Sequence, residues 1–227
     1  MKRGRKPTID AADITRAAIA VADAEGLAAV SMARVAQELG NATMALYRHV
    51  KSKDELLTLM GDAAMGEPPP LPDGGWRERL GFWAKAVLGA IGRRPWSLQI
   101  PVSGPPTGPR SLAWFDSALG ALDGTPLEPG EKVGVVMGLL TFVQGEARLS
   151  DTLTRGFEDN PAAFSRQYGQ ALRALVDPRK MPSLAQVVEA GVFDVDDLYA
   201  AEDVAAEFDF GLQLFLEGVA AHIGRRS

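Results

Sequence analysis

Residues 31–57 read SMARVAQELGNATMALYRHVKSKDELL, and this stretch decides the fold. Apolar residues recur in it every three or four positions, and Gly40 interrupts the pattern. The spacing predicts two short helices at 32–39 and 43–49, joined by a tight turn, and a further helix that begins near Lys53. Two short helices joined in this way are typical of the helix-turn-helix motif, which reads duplex DNA.

The second of these short helices has the features of a recognition helix. Ala42, Leu46 and Val50 are spaced by four and share one face, which we expect to pack on the preceding helices. The other side chains then point outward, where small ones can touch thymine methyl groups and Arg48 can donate to guanine or phosphate. The side chains in and around the motif that we expect to face DNA are Ser31, Arg34, Thr43, Met44, Ala45, Tyr47, Arg48, His49, Lys51 and Lys53. A surface hairpin of helices without a DNA partner is the alternative interpretation.

A basic tail precedes the motif and extends the candidate DNA-binding surface. It contributes Lys2, Arg3, Arg5 and Lys6. Residues 1–55 hold nine Lys and Arg against seven Asp and Glu, whereas residues 56–227 hold 15 against 22. A basic end on an acidic body brings one end of a protein against phosphates and keeps the other end away from them. A solvated terminus without a partner is the alternative interpretation of the tail.

The rest of the chain predicts an all-α protein with two domains. Strand patterns are almost absent, and the segment EPPPLPDGG at 67–75 is the clearest linker. We therefore predict a helix-turn-helix DNA-binding domain at 1–66, with its fourth helix as the link, and a helical ligand-binding and dimerisation domain at 67–227. The other helices are expected at 11–25, 76–93, 96–102, 110–122, 129–153, 161–176, 184–190 and 202–223.

Motifs that carry enzymatic or metal chemistry are missing. The chain has no Cys, which excludes disulfides, thiolate metal ligands and a Cys nucleophile, and it has only two His. It contains no HExxH, P-loop, GxGxxG or GxSxG segment. We therefore expect no catalytic residue, no cofactor and no metal. No apolar run is long enough to span a bilayer and nothing resembles a signal peptide, so we expect a soluble cytoplasmic protein.

The last predicted helix indicates self-association. Apolar residues surround most of its circumference and leave a thin polar stripe of Asp209, Gln213 and Glu217. A second copy of the chain is the simplest partner for the outer side, and burial within one chain is the alternative. Residues 133–145 are similarly apolar and carry a line of small residues. The residues expected at a homodimer interface are Gly134, Gly138, Thr141, Gly211, Leu214, Phe215 and Gly218.

Large side chains at helical spacing in the body predict a ligand pocket. Aromatic walls with a few polar groups suit a drug-sized apolar or amphipathic ligand. Plain core packing is the alternative for each residue taken singly. The expected lining residues are Trp83, Trp114, Phe115, Met137, Phe142, Gln144, Phe164 and Tyr168.

Residues 10–60 resemble the DNA-binding domain of the tetracycline-repressor (TetR) family of bacterial regulators. The matching segments are AEGL at 24–27, SMARVA at 31–36, LG at 39–40, MALYRHV at 44–50 and KSKDELL at 51–57. The C-terminal half resembles the ligand domain of the same family in FDFGL at 208–212 and LEG at 216–218. One departure concerns Asn41-Ala42, where the family has an apolar residue followed by Ser. Because Ala42 has no capping side chain, we expect Asn41 or Thr43 to cap the recognition helix.

The resemblance implies a homodimer in which the helix at 129–153 and the last helix form a four-helix bundle across a twofold axis. Such a dimer would bind a palindromic operator in double-stranded DNA and would be released by a small-molecule inducer. The other hypothesis is a helical small-molecule-binding or catalytic protein whose basic head binds another anionic partner. Only a repressor should prefer one palindrome over random duplex by orders of magnitude.

Overall fold

The computed structural model describes residues 9–101, 106–157, 161–193 and 201–226, which are helical and contain no strand. This confirms the predicted all-α class. The α-helices in chain order are α1 (Ala11–Glu25), α2 (Met32–Glu38), α3 (Thr43–Leu46), α4 (Lys53–Met65), α5 (Trp76–Arg93), α6 (Pro109–Ala121), α7 (Pro129–Phe157), α8 (Pro161–Leu175), α9 (Pro182–Glu189) and α10 (Ala201–Gly224). None of them, within the described residues, is long and apolar enough to cross a membrane.

The chain forms two compact units. The first comprises Met1–Ala147 and Val219–Ser227, and the second comprises Arg148–Gly218. Helices α1 to α4, which we call the head, lie in the first unit together with α5, α6, the larger part of α7 and the end of α10. The second unit contains α8 and α9, where Tyr168 and Phe193 meet edge to face with ring centroids 5.7 Å apart.

The head has its own hydrophobic core, which fixes how its four helices pack. Helix α1 begins at a capping box, in which the Asp10 carboxylate accepts the Asp13 N–H at 2.8 Å and the Asp13 carboxylate accepts the Asp10 N–H at 3.3 Å. Burying one large apolar side chain contributes about 1.5–3 kcal/mol, so a handful of them stabilises a domain of this size. The largest fully buried side chains of the head core are Ile14, Val21, Val30, Val35, Leu46, Leu56 and Met60.

The turn of the helix-turn-helix motif differs from the prediction in its capping. Gly40 has φ +61°, a left-handed conformation that favours glycine, and ends α2. The Asn41 side chain donates to the Leu39 carbonyl at 2.8 Å and makes no capping hydrogen bond to α3. Ala42 occupies the N-cap position without a side-chain hydrogen bond. The expectation that Asn41 or Thr43 caps the helix is therefore wrong.

Helix α3 is also shorter than the predicted 43–49. The His49 and Val50 N–H groups both donate to the Leu46 carbonyl at 2.9 Å, so the chain after Leu46 tightens into a turn. Leu46 and Val50 are fully buried as expected, but Ala42 is exposed and does not share their packing face. The helix is thus held by two anchors rather than three.

The largest of the remaining differences concern the segment after α5 and the end of α7, while the other helix ends differ from the predicted ones by one or two residues. The helix expected at 96–102 is a 3-10 turn, Pro95–Gln99, in which the Ile100 N–H donates to the Ser97 carbonyl at 3.1 Å. Pro101 follows and forces Ile100 into an extended conformation, so the turn cannot continue as a helix. Helix α7 runs to Phe157, four residues beyond the predicted end.

The end of α10 is tied to the start of α7 within the first unit. The Glu131 carboxylate accepts the Glu128 N–H at 2.9 Å, lies 3.0 Å from His222 Nε2 and lies 2.7 Å from Arg226 Nη2. The Glu128 N–H, then His222 and the positive charge of Arg226 hold the pKa of Glu131 below its ordinary value. The ionised carboxylate therefore joins the two helices.

This tie predicts a pH-dependent contribution to stability. Because the folded-state pKa of Glu131 is lowered, its contribution is complete above the ordinary carboxyl range of about 4.3 and is lost as the pH falls through the folded-state value. Glu131→Gln should lower the urea midpoint at pH 7 and lessen the loss of stability between pH 5 and pH 3. A variant whose urea midpoint has the same pH dependence as wild type would contradict this account.

Candidate DNA-binding surface

Helix α3 presents an uncovered face to solvent above its two anchors. Met44 is 72% exposed and Tyr47 is 42% exposed. Arg48, which follows Tyr47 in the turn after α3, is exposed as well, and we call Met44, Tyr47 and Arg48 the reading face. Thr43 and Ala45 flank this face and are half-buried. Because Met44 and Tyr47 are the exposed large apolar side chains of the described head, this face suits contact with another molecule.

Positive charge follows directly after this face. Arg48, His49, Lys51 and Lys53 are exposed, and no acidic residue interrupts the run from 43 to 53. The basic tail with Lys2, Arg3, Arg5 and Lys6 lies outside the described residues. Exposed apolar side chains with cations beside them have the composition that a DNA-binding surface needs, because base edges are read by hydrogen bonds and apolar contacts, and phosphates are bound by positive charge.

Side chains at the start of α4 accept hydrogen bonds from backbone N–H groups there. Ser52 Oγ accepts the Glu55 N–H at 3.0 Å, and the Glu55 carboxylate accepts the Lys51 N–H at 2.6 Å. Backbone N–H groups at the start of α4 are thus partly used within the protein. Lys51 and Lys53 are the exposed cations at this point.

Two of the predicted DNA-binding residues have structural partners in the head. Ser31 caps α2, and its hydroxyl accepts the Arg34 N–H at 3.1 Å. The Arg34 guanidinium lies 2.5 Å from the Glu25 carboxylate and 2.8 Å from that of Glu38. Hydrogen bonds to Glu25 and then Glu38 raise the pKa of Arg34. Arg34 therefore joins the end of α1 to α2, and its charge is balanced locally.

Helix α4 is attached to α6 through one carboxylate. Asp62 accepts the Ser111 N–H at 2.8 Å, the Ser111 hydroxyl at 2.7 Å and the Arg110 N–H at 3.3 Å. Asp62 thus caps α6 from another helix, where a negative charge also suits the helix dipole. A Cβ at Gly108 would collide with this carboxylate, which explains the glycine at the N-cap. The contact fixes the start of α6 on the head.

A second attachment lies at the end of α4 and involves two residues predicted to line a pocket. Trp114 Nε1 donates to the Gly66 carbonyl at 3.0 Å, and Trp83 Nε1 donates to the Trp114 carbonyl at 2.9 Å. The two rings meet at 67° with centroids 6.2 Å apart, and both are buried. Their indole N–H groups are therefore used by the backbone, and the rings offer only apolar surface.

The other predicted pocket residues have varied surroundings. Phe115, Phe142 and Gln144 are half-buried and Met137 is exposed, all in the first unit. Tyr168 is half-buried in the second unit, and the Phe164 side chain lies outside the described part of the chain. An open cleft of about 480 Å³ lies elsewhere, among Asp23, Arg93, Arg94, Pro95 and Trp96. No group of His, Asp and Glu in the described residues could hold a metal ion.

The 3-10 turn Pro95–Gln99 joins the head through residues that the sequence did not single out. Trp96 is buried in the head core, its Nε1 donates to the Asp23 carboxylate at 2.7 Å, and Arg94 Nε donates to both oxygens of Asp23 at 3.2 Å. Asp23 and Trp96 are 73 residues apart. The one available signal was an acidic residue in the last turn of α1, where the dipole disfavours it.

The predicted interface residues lie on faces that carry uncovered apolar groups. On α7, Val133, Met137 and Thr141 are exposed at a spacing of four, with Gly134 exposed and Gly138 half-buried. On α10, Phe208, Leu212 and Leu216 form a buried face. Its other side exposes Phe210 by 68% and Leu214 by 54%, together with Gly218, while Gly211 and Phe215 are half-buried.

The head and its reading face define a helix-turn-helix transcriptional regulator. Residues 14–60 match the family model for bacterial regulatory proteins of the tetR family, and residues 68–223 match that for the tetracyclin repressor-like C-terminal domain. The chain belongs to the TetR family, whose members bind DNA operators, dimerise and bind small-molecule ligands. The family and its relatives are regulators rather than enzymes.

Similar proteins agree with this assignment. The HTH-type transcriptional repressor DrrR1 of Streptomyces coeruleorubidus is 34% identical over 99% of this chain and 82% of that protein. The Streptomyces coelicolor TetR family protein ActR in complex with actinorhodin is 26% identical, with a TM-score of 0.79 over 95% of this chain and 99% of that one. ActR in complex with (S)-DNPA is 25% identical, with a TM-score of 0.77 over 95% of this chain and 98% of that one.

The attachment through Asp62 predicts a measurable loss of stability. Asp62→Ala removes three hydrogen bonds, among them the cap of α6, and should cost about 1–3 kcal/mol of unfolding free energy. Urea denaturation followed by circular dichroism gives this value. Asp116→Ala, which changes an exposed aspartate on α6, serves as the control and should stay within about 0.5 kcal/mol of wild type. Equal stabilities of the two variants would refute the capping role.

Proposed function

We propose that this protein is a repressor that binds a palindromic operator as a homodimer and is released by a small-molecule inducer. The observation that carries the proposal is the face of α3, where Met44, Tyr47 and Arg48 are exposed above the buried Leu46 and Val50. This arrangement places side chains that can read bases on a rigidly packed support.

Exposed cations supply the affinity for the DNA backbone. Arg48, His49, Lys51 and Lys53 follow the reading face and reach phosphates on either side of the groove. The basic tail, with Lys2 and Arg3 among its residues, adds contacts of the same kind. Arg34 and Ser31 contribute to DNA binding mainly by holding α2, because their polar groups already have partners in the head.

Self-association would cover the exposed apolar residues of α7 and α10. Val133 and Met137 on the one helix, and Phe210 and Leu214 on the other, are large apolar groups in contact with solvent in a single chain. Glycines at 134 and 218 leave room for the close approach of another helix, since no heavy atom lies within 4 Å of an added Cβ. A twofold dimer would present two α3 helices to successive major grooves, about 34 Å apart.

Inducer binding would act on the body. Trp83 and Trp114 offer apolar ring surface near the end of α4, and Phe115, Phe142 and Gln144 of the same unit are half-buried. A small apolar or amphipathic ligand that binds one arrangement of the body better than the other would shift the dimer away from its operator-binding form. Actinorhodin and (S)-DNPA, the ligands in the ActR structures, are the first compounds to test for release.

The proposal is tested by selecting bound fragments from a random duplex library. Wild type should enrich one palindrome and bind it at least about a thousandfold more tightly than random duplex. Light scattering should give the mass of two chains in the absence of DNA. Weak binding with no preferred sequence would instead favour a head that serves another anionic partner.

If the reading face contacts DNA, substitutions in it should lower the affinity for the operator without affecting the formation of the dimer. Tyr47→Ala with Arg48→Ala should lower operator affinity by at least about tenfold, because each good base or phosphate contact contributes about 1–3 kcal/mol. The variant should keep the mass of the dimer and the urea midpoint of wild type. An unchanged affinity, measured by fluorescence anisotropy at fixed salt, would overturn the assignment of this face.

The exposure of Met44 predicts that the protein prefers a thymine at one position of each operator half-site. The thymine methyl is the apolar group that the major groove offers, and Met44 is the most exposed apolar side chain on α3. Replacing each operator thymine in turn by deoxyuridine removes only that methyl. For wild type, one position per half-site should lose about threefold or more in affinity, which corresponds to the burial of one methyl group.

A matched variant separates this effect from changes in DNA shape. Met44→Ala should show a much smaller loss at that position, because it lacks the three heavy atoms beyond Cβ with which Met44 would reach the methyl group. Leu112→Ala, at an exposed apolar residue of α6, should keep the wild-type pattern. A deoxyuridine scan that is identical for wild type and Met44→Ala would refute the contact.

A further inference from the structure

One carboxylate joins the end of α1 to a segment that follows α5. Asp23 accepts the indole N–H of Trp96 at 2.7 Å and the Nε–H of Arg94 at 3.2 Å. Trp96 is 7% exposed and packs among the core residues of the head, although it lies 20 residues beyond the start of α5. We call Asp23, Arg94 and Trp96 the clamp.

The position of Asp23 indicates a role outside its own helix. The last turn of α1 holds Asp23 and Glu25 and no basic residue, so both carboxylates face the negative end of the helix dipole. Each is balanced from another segment, Glu25 by Arg34 of α2 and Asp23 by Arg94. A buried indole N–H also requires an acceptor, and Asp23 is the group that supplies it. The clamp thus has two donors of different kinds on one acceptor.

The clamp lies apart from the other attachments of the head. Asp62 and Gly66 hold α4 against α6, whereas Asp23 lies on α1. A body attached at α4 alone would let the head pivot about that helix. Attachment at both α1 and α4 leaves one orientation, and all of these contacts fall within the first unit.

We propose that Asp23 is a positioning residue that sets the separation between the two recognition helices and therefore the operator spacing that the dimer accepts. This inference rests on the proposed function, since spacing has meaning only for a dimer on a two-half-site operator. Loosening the clamp lets each head pivot, so that the dimer adapts to neighbouring spacings without a change in the residues that contact DNA.

The test is a series of operators whose centre is lengthened or shortened by one base pair. Each step moves the half-sites by about 3.4 Å and rotates them by about 35°. For wild type, adapting to either change means deforming DNA or protein, and the Kd should rise by at least about tenfold. For Asp23→Asn and for Trp96→Phe, the same change should raise the Kd by no more than about threefold.

Trp96→Phe removes the indole N–H but keeps an aromatic ring in the head core, and Asp23→Asn removes the charge that Arg94 balances. The matched control is Asp116→Asn, at an exposed aspartate outside the clamp, which should keep the full spacing penalty. Thermal unfolding followed by circular dichroism establishes a temperature at which every variant is folded, and all Kd values are measured at that temperature. A residue that only stabilised the fold would not change the ratio of two Kd values measured on folded protein.

Variants that keep the wild-type spacing penalty overturn the inference, as do folded variants that lose affinity equally at every spacing. The binding of wild type alone tests the proposed function. If wild type selects no operator, the proposed function fails and the inference falls with it. If wild type binds its operator with a spacing preference that the clamp variants share, only the inference fails.

Discussion

The position of α3 in the head depends on the burial of Leu46 and Val50. Helix α3 has four residues and no side-chain cap, and a helix of that length is not stable by itself in water. It exists because two anchors hold it in a core built by α1, α2 and α4. The residues between and beside those anchors are then free to vary without loss of the scaffold. This separation of support from readout is what allows one fold to serve many DNA sequences.

The cations in the head and on the segment that packs on it are of two kinds: some form ion pairs within the protein, and others are exposed to solvent. Arg34 is placed between two carboxylates, and Arg94 is paired with Asp23. Arg48, Lys51 and Lys53 instead lie exposed along a stretch without acidic residues. A count of charges over the head gives a small net value and hides this division. The exposed stretch 43–53 is therefore more positive than the head as a whole.

The sequence predicts what is local and periodic, and it misses what is joined across the chain. The bounds of α1 and α5 follow from Asp10, Gly26 and the apolar period, and both helices have the expected limits. The length of α3 was overestimated because periodicity continues through Tyr47, Arg48 and His49 although the backbone there forms a turn. Which residues line a pocket was not readable, since Trp83 and Trp114 have the same spacing whether they pack in a core or face a ligand.

Long-range polar contacts were beyond sequence reasoning for a related reason. Asp62 looks like an ordinary acidic residue on a helix surface, and the unfavourable place of Asp23 at the end of α1 does not show where its partner lies. The partners are 49 and 73 residues away. Even the glycine at 108 is explained only by the carboxylate that a Cβ would meet. Such pairs become visible once the helices are packed.

The remote cap that Asp62 provides for α6 limits how freely heads can be exchanged between relatives. Helix α6 has glycine at its own N-cap and depends on α4 for the acceptor that its first N–H groups need. A chimaera cut at the linker would part this helix from its cap, and would leave the Trp96 indole without its acceptor. A transplanted head must therefore carry carboxylates at the positions of Asp23 and Asp62. The head is joined to the helices that follow it by these side-chain contacts as well as by the linker.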